Sequence, residues 1–193
     1  MRIITGSARG CRLKTPQGQE TTRPTADRVK ESVFNILGSM VQDRRVLDLF
    51  AGTGNLGLEA LSRGAAAAVF ADRTTADLIR ENARRTRLED RVQVLSGDVF
   101  AILRRLEAQG ERFSLIFCDP PYHKGLWQQA LAATDAGNLL AEDGILIVEH
   151  GADEDILPAL THLERREHRR YGHTTQVSFF QWRDYAGAEE EEP

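Results

Sequence analysis

Apolar positions along this chain fall into two kinds of run. From residue 46 onward, short and nearly continuous apolar stretches read VLDLF (46–50), AAVFAD (67–72), VQVLS (92–96), SLIFCD (114–119) and ILIVEH (145–150). Between them lie longer stretches with helical spacing: LGLEALSRG, TTADLIRENARRTRL, VFAILRRLEAQG and LWQQALAATDAGNLL, with DILPALTHL expected as a last helix. Unbroken apolar strands joined by amphipathic helices predict a parallel sheet buried on both faces. The segment LERREHRRYGHTTQVSFFQW differs, because two strand-like runs flank Tyr171 and Gly172. That pattern predicts an antiparallel pair at one sheet edge. The expected class is therefore α/β, a doubly wound, mostly parallel, seven-stranded sheet.

Ahead of the sheet, RIITGSARGCRL reads as a β-hairpin and PQGQETT as a loop. Pro24 then opens a helix at the position where a missing N–H costs nothing. Ala26, Val29, Val33, Ile36, Leu37 and Met40 recur at helical spacing and predict its buried face. Arg28, Glu31 and Asn35 form a separate polar stripe that either orients a ligand or is simply paired within itself. Residues 1–40 are thus expected as a hairpin-and-helix extension, 41–184 as the α/β domain, and 185–193, ending in AEEEEP, as a disordered acidic tail.

A chain of 193 residues supports one domain with a sizeable core. No apolar run approaches the roughly 18 residues that a membrane span requires, and no leader with an apolar core is expected. Cys11 and Cys118 stand far apart and form neither a metal set nor a disulfide framework, which points to a reduced, cytoplasmic setting. The five histidines lack ligand spacing, so no metal is expected.

Net charge changes the picture further. The first 30 residues carry seven basic side chains against two acids, a net of +5, so the remainder of a chain of net charge −4 carries −9. A basic end on an acidic body suggests a polyanion touching one side, with Arg2, Arg9, Arg12, Lys14, Arg23 and Arg28 as candidate contacts. A solvated basic face with no partner is the plainer alternative.

Candidate chemistry gathers at strand ends. After the first strand, DLFAGTGNLG places Gly52, Gly54 and Gly57 in a G-x-G-x-x-G pattern between a strand and a helix. Asp72, 20 residues after Gly52, ends the second strand, where a carboxylate can accept both hydroxyls of a ribose. This much suits either NAD or S-adenosylmethionine. Asp48 favours the latter, because an acid there welcomes an ammonium group and repels a pyrophosphate; its plainer role is to hydrogen-bond the loop. Asp98, ending the third strand, is a weaker candidate for an adenine edge.

The fourth strand runs into Asp119, Pro120, Pro121 and Tyr122. Ligands of open α/β sheets bind beyond the carboxyl ends of the strands, so this turn and the glycine loop should face one crevice. The lone pair of an exocyclic base amine is delocalised into its ring. Asp119 and the Pro120 carbonyl can accept hydrogen bonds from that amine, free the lone pair and stabilise the charge that develops on nitrogen. The proline pair holds the carbonyl still, and Tyr122 offers a stacking face worth ~1–3 kcal/mol.

These stretches together resemble a known family. RIITGSARG, TRPTADRVKESVFNIL (22–37), LDLFAGTGNLGLEALSRG (47–64), DPPY (119–122) and YGHT (171–174) are similar to the RsmD-like bacterial methyltransferases that modify a guanine exocyclic N2 amine in 16S ribosomal RNA. The resemblance implies a Rossmann-like class I methyltransferase domain over 41–184. It also implies S-adenosylmethionine held by Asp48, Phe50, Gly52, Gly54, Asp72 and Asp98, and a guanine held by Asp119 to Tyr122. The basic hairpin and the Arg23-Pro24 turn would contact 16S RNA or a small-subunit assembly intermediate, and the enzyme is expected to act as a monomer. Ala26 and Asn55 depart from the usual family pattern, and Asn55 touches the detail of the loop. A DNA amino-methyltransferase and a non-catalytic RNA-binding assembly factor remain the alternatives, with an NAD oxidoreductase behind them. Deleting residues 1–14 is expected to spare cofactor binding and impair RNA methylation.

Overall fold

The computed structural model describes residues 1–16 and 24–184. Its helices are α1 (Pro24–Leu37), α2 (Asn55–Ser62), α3 (Ala76–Thr86), α4 (Val99–Ala108) and α5 (Leu126–Ala136). Its strands are β1 (Arg45–Leu49), β2 (Ala67–Asp72), β3 (Val92–Ser96), β4 (Phe113–Cys118), β5 (Leu140–Gly151), β6 (Leu163–Tyr171) and β7 (Thr175–Trp182). They form one sheet in the order β3-β2-β1-β4-β5-β7-β6. The first five strands are parallel, while β7 runs antiparallel to both β5 and β6. Strand order reverses between β1 and β4, which opens a crevice at their carboxyl ends.

Burial explains why the apolar runs lack alternation. Leu47 and Leu49 face one core layer with Ile116 and Cys118, whereas Val46 faces the other with Leu115 and Phe117. The second layer also takes in Ile3, Ala8, Leu13, Val29, Val33 and Phe34 from the N-terminal segment. The hairpin is minimal: Arg2 and Arg12 form a single antiparallel bridge, closed by Ile3 N–H to Cys11 O at 2.9 Å and Gly10 N–H to Ile3 O at 2.8 Å.

Several expectations need correction. DILPALTHL is not helical but irregular up to Leu163, which opens β6. Pro158 disfavours helix at the preceding residue, and the Asp135 carboxylate instead captures the N–H groups of Thr161, His162 and Leu163 at 2.9, 2.9 and 2.6 Å. The helix expected to run through Leu140 ends at Ala136, because Leu140 pairs with Phe113 and already belongs to β5. Met40 is 42% exposed, lying in a 3-10 turn after α1 rather than on its buried face. Since Ile3, Ala8 and Leu13 are core residues, deletion of residues 1–14 would open the core and is not a clean test of RNA contact. The expected loop over 16–22 falls largely outside the described residues, and the acidic tail wholly so.

The N-terminal segment is held by one buried carboxylate. Glu59 of α2 is fully buried and accepts from Ile4 N–H at 2.8 Å, Thr5 N–H at 3.0 Å and Arg63 Nε at 2.9 Å. The Lys30 ammonium of α1, 1% exposed, lies 3.0 Å from it. Burial pulls the Lys30 pKa down, and Glu59 partly restores it. Removing one member of a buried pair strands the other charge. Glu59→Ala is expected to lower the unfolding free energy by about 3–5 kcal/mol in urea titration. A loss within about 1 kcal/mol, the range of an exposed pair, would show that Glu59 anchors nothing.

Candidate active site

The β1–α2 loop is built by close approach. Gly54 caps α2 in the left-handed region at φ 77°, which only glycine adopts without strain. A β-carbon on Gly57 would lie 2.4 Å from the Phe70 ring and 3.1 Å from Asp48 Oδ2, so only glycine lets the helix start this near β2. Asp48 Oδ2 accepts from Gly57 N–H at 2.9 Å. The plainer role foreseen for Asp48 is therefore real, and among the described residues one lone pair on that oxygen and all of Oδ1 remain. Phe50 follows at φ 57°, its ring edge-on to Phe100 with centroids 6.1 Å apart.

Asp72 and Asp98 brace the neighbouring turns. Asp72 Oδ2 accepts from Gly52 N–H at 3.0 Å, and Oδ1 accepts from Thr74 and Thr75 N–H at 2.9 and 3.0 Å. Partial burial works against these bonds, but the net effect holds its carboxyl below the usual range. Asp98 caps α4 by accepting from Ala101 N–H at 3.0 Å and pairs with Arg73 at 2.9 Å. Hydrogen bonding to Ala101 lowers its pKa first, and Arg73 adds to that. Asp72 ends β2 and Asp98 follows β3 by two residues, and neither lines the cavity of the crevice.

That cavity measures about 410 Å³, within the range of small-ligand sites. Asp48, Phe50, Gly52, Asn55, Asp119 and Glu149 line it. The glycine loop and Asp119 thus face one space, whereas Pro120, Pro121 and Tyr122 of the same turn do not line it. Asp119 opens to solvent at the mouth and is packed by protein elsewhere. That enclosure, followed by the charges of Glu149 and Asp48, raises its carboxyl well above the usual range, although solvent at the mouth weakens the rise. Asp48 is deeper, 2% exposed, and burial pushes it up to about 8 against the pull of Gly57 N–H. Pro120 is buried behind the turn and Pro121 exposed.

Tyr122 is half-buried and anchored through its hydroxyl, which donates to Glu149 Oε1 at 2.7 Å and lies 3.2 Å from Thr175 Oγ1. Burial and the Glu149 charge push the phenol further from ionisation. Glu149 and Thr175 are site residues that the sequence did not single out. Only the position of Glu149 at the tip of the fifth strand hinted at it. Lys30 is one more, and it gives Asn55, noted above only as a departure in the loop, a partner: Lys30 Nζ donates to Asn55 Oδ1 at 2.7 Å and to Arg2 O at 2.6 Å. No amphipathic pattern marks a lysine for such a place.

Of the basic residues expected to meet RNA, Arg2, Arg9, Arg12, Lys14 and Arg28 are exposed. Lys14 pairs with Glu81 at 2.9 Å, and Arg2 lies 3.8 Å from Asp27. Arg23 falls outside the described residues. Glu31 and Asn35 are exposed beside Arg28. His150 is a core residue stacked on Trp127 and bonded to Ser178 Oγ at 3.1 Å. His123 lies 4.0 and 3.9 Å from the carboxylates of Asp153 and Glu154 at the surface, a grouping common without an ion.

Sheet order, glycine loop and acidic strand tips define a Rossmann-like domain of the class I methyltransferase type. The family model described as "Conserved hypothetical protein 95" matches residues 1–181, and the chain belongs to this family. The chain is 33% identical over 171 residues to Ribosomal RNA small subunit methyltransferase D of Escherichia coli K12, covering 86% of this chain and 84% of the relative. It is 34% identical over 160 residues to the protein of the same name from Haemophilus influenzae, covering 81% and 82%. Among solved structures, a hypothetical protein of Thermus thermophilus superposes with a TM-score of 0.76 at 32% identity, covering 94% of this chain and 99% of that one. By fold and kinship the chain is a methyltransferase, and the resemblance read from its motifs holds.

The packing of Gly57 yields a direct test. Gly57→Ala should cost about 1–3 kcal/mol by overpacking against Phe70 and lower the melting temperature. An unchanged melting curve would show that the helix start has room to spare.

Proposed function

We infer that the protein transfers a methyl group from S-adenosylmethionine to ribosomal RNA of the small subunit, and that the acceptor is the exocyclic N2 amine of a guanine in 16S RNA. The observation that carries this reading is the single cavity shared by the glycine loop and Asp119. Kinship with proteins named for small-subunit RNA methylation supports the RNA part.

The residues present fit the cofactor. A buried carboxylate raised to about 8, with one backbone donor and the cavity before it, is a group in want of a cation. Asp48 would hold the amino group of the methionine moiety. Asp72, with one lone pair of Oδ2 uncommitted, would hold a ribose hydroxyl, and Phe50 in the cavity wall with Asp98 beyond it would meet the adenine. When bound, the cofactor would supply an electrophilic methyl group, transferred from its sulfur to the amine nitrogen.

The remaining work belongs to the chain. Asp119 and the Pro120 carbonyl accept from the amine and turn its lone pair out of the ring plane. Tyr122, fixed by Glu149 and Thr175, presents its ring to the base. Holding two reactants in line removes much of the barrier by itself. The methylated amine sheds a proton that Asp119, with its raised affinity, is suited to take. Such a clamp cannot reach an amine inside a paired helix, so the target base lies in a loop or is extruded.

Labelled S-adenosylmethionine should be offered to 30S subunits from a strain lacking the gene, to naked 16S RNA and to unmethylated DNA. Label in N2-methylguanosine is expected, and Asp119→Ala should lower kcat by ~10²–10³ with cofactor affinity retained. Label in DNA alone would make the protein a DNA amino-methyltransferase. No label despite tight binding of cofactor and RNA would make it a non-catalytic factor.

Asp48 gives a pH signature. Below its raised pKa the ligand-free group holds a proton that it must lose to pair with an ammonium. Cofactor affinity should rise from pH 6 to about 7.5 in the wild type and stay flat in Asp48→Asn. The stability sign is opposite. The folded state binds the extra proton, so the stability of ligand-free protein due to this group falls as pH rises from about 4 toward 8. Calorimetric titration and melting curves across that window check both, and a pH-independent wild-type affinity would remove Asp48 from the cofactor's amino group.

A further inference from the structure

Glu149 is tied to the site by geometry that neither the glycine loop nor the amine clamp explains. The β4–β5 register pairs Phe117 with Ile147 and Cys118 with Val148, so Asp119 and Glu149 are the next residues on adjacent parallel strands. Both line the cavity. The Tyr122 hydroxyl occupies Glu149 Oε1 at 2.7 Å. Among the described residues no group donates to Oε2. The side chain is thus held at one oxygen and offers the other to whatever Tyr122 stacks on.

We propose that Glu149 is a specificity residue, whose Oε2 accepts the ring N1–H of the target guanine while Asp119 and the Pro120 carbonyl hold the neighbouring amine. This rests on the guanine-amine reading given above. Guanine presents three N–H donors on one edge, one on N1 and two on the exocyclic amine. Asp119 and Glu149 both face the cavity with carboxylate oxygens, and the Pro120 carbonyl is the third acceptor of the clamp inferred above.

Adenine and cytosine present an exocyclic amine beside an unprotonated ring nitrogen. Either base would set a lone pair against the Glu149 carboxylate, which leaves both groups without a donor. Charge works in the same direction. Enclosure first, and then the Glu149 charge, raises the cost of ionising Asp119, and an edge made only of donors relieves that repulsion. An acceptor on the edge adds to it. The amine clamp alone does not name the base, so the choice falls to the residue beside it.

The test replaces the target guanine, once mapped, by 2-aminopurine in a synthetic RNA. This base keeps the C2 amine but has no hydrogen on N1. The wild type should favour guanine by at least ~10²-fold in kcat/KM, as expected of a site that pairs a specific N–H. In Glu149→Gln the amide oxygen can still accept from Tyr122 while the amide nitrogen turns a donor to the base. The preference should then shrink below about tenfold, with guanine losing most. Calorimetric binding of S-adenosylhomocysteine at wild-type affinity shows that the variant's cofactor half is intact.

An unchanged preference in such a variant overturns the proposal. If the variant does not fold, the wild-type ratio decides by itself, since equal use of the two bases overturns it too. Product analysis separates the two levels. A wild type that forms no N2-methylguanosine refutes the guanine reading itself, whereas N2-methylguanosine formed without discrimination refutes only the role of Glu149.

Discussion

The buried Glu59 carboxylate is the constraint from which the rest of the site hangs. A charge removed from water must be offset by hydrogen bonds and a counter-charge. Glu59 obtains them from the backbone of Ile4 and Thr5, from Arg63 and from Lys30. These donors come from separate parts of the chain, so satisfying one acid sets the hairpin, α1 and α2 in register. Lys30 passes the constraint on through Asn55 to the first turn of α2, where the glycine loop ends. The segment that carries the exposed arginines and the loop that lines the cavity are consequently one mechanical unit.

The cavity itself is the reverse case, with acids left short of donors. Asp48, Asp119 and Glu149 crowd one space, and each is driven upward by burial before any neighbour is counted. Such an arrangement costs the ligand-free protein stability and is relieved only by ligands rich in positive charge or N–H donors. An ammonium and the donor edge of a base are two such ligands. The contrast with Glu59 is instructive, because a carboxylate serves as an anchor where donors are built in and as a receptor where they are withheld.

Much of this was legible in the chain, and the limits have physical causes. Apolar runs without alternation revealed buried parallel strands, and G-x-G-x-x-G with Asp-Pro-Pro-Tyr placed two strand tips in one crevice. These are local signals, written in consecutive residues. Lys30 and Glu59 carry no such signal, since a charged residue in a helix looks the same whether its partner is water or a carboxylate 29 residues away. DILPALTHL misled because its apolar spacing suits a helix while Pro158 and the distant Asp135 decide otherwise. Asp98 and Asp72 were placed at the right strand ends, yet their bonds to turn N–H groups depend on backbone geometry that no motif spells out.

The two halves of the crevice have different origins in the fold, and this separates what they do. Strand β1 and the loop after it supply Asp48, Phe50 and Gly52 from within the parallel core. The other half borrows from additions at both chain ends. Lys30 and Val33 come from α1, and Val177 comes from the antiparallel strand β7. Thr175 of β7 steadies Tyr122, and Tyr171 at the β6–β7 turn donates to Ser32 Oγ of α1 at 2.6 Å. The last strands and the first helix therefore close on each other across the mouth of the sheet. A parallel core provides a binding edge of general use, whereas the closing elements are free to vary in what they present above Asp119. The stability of those closing elements returns to Glu59.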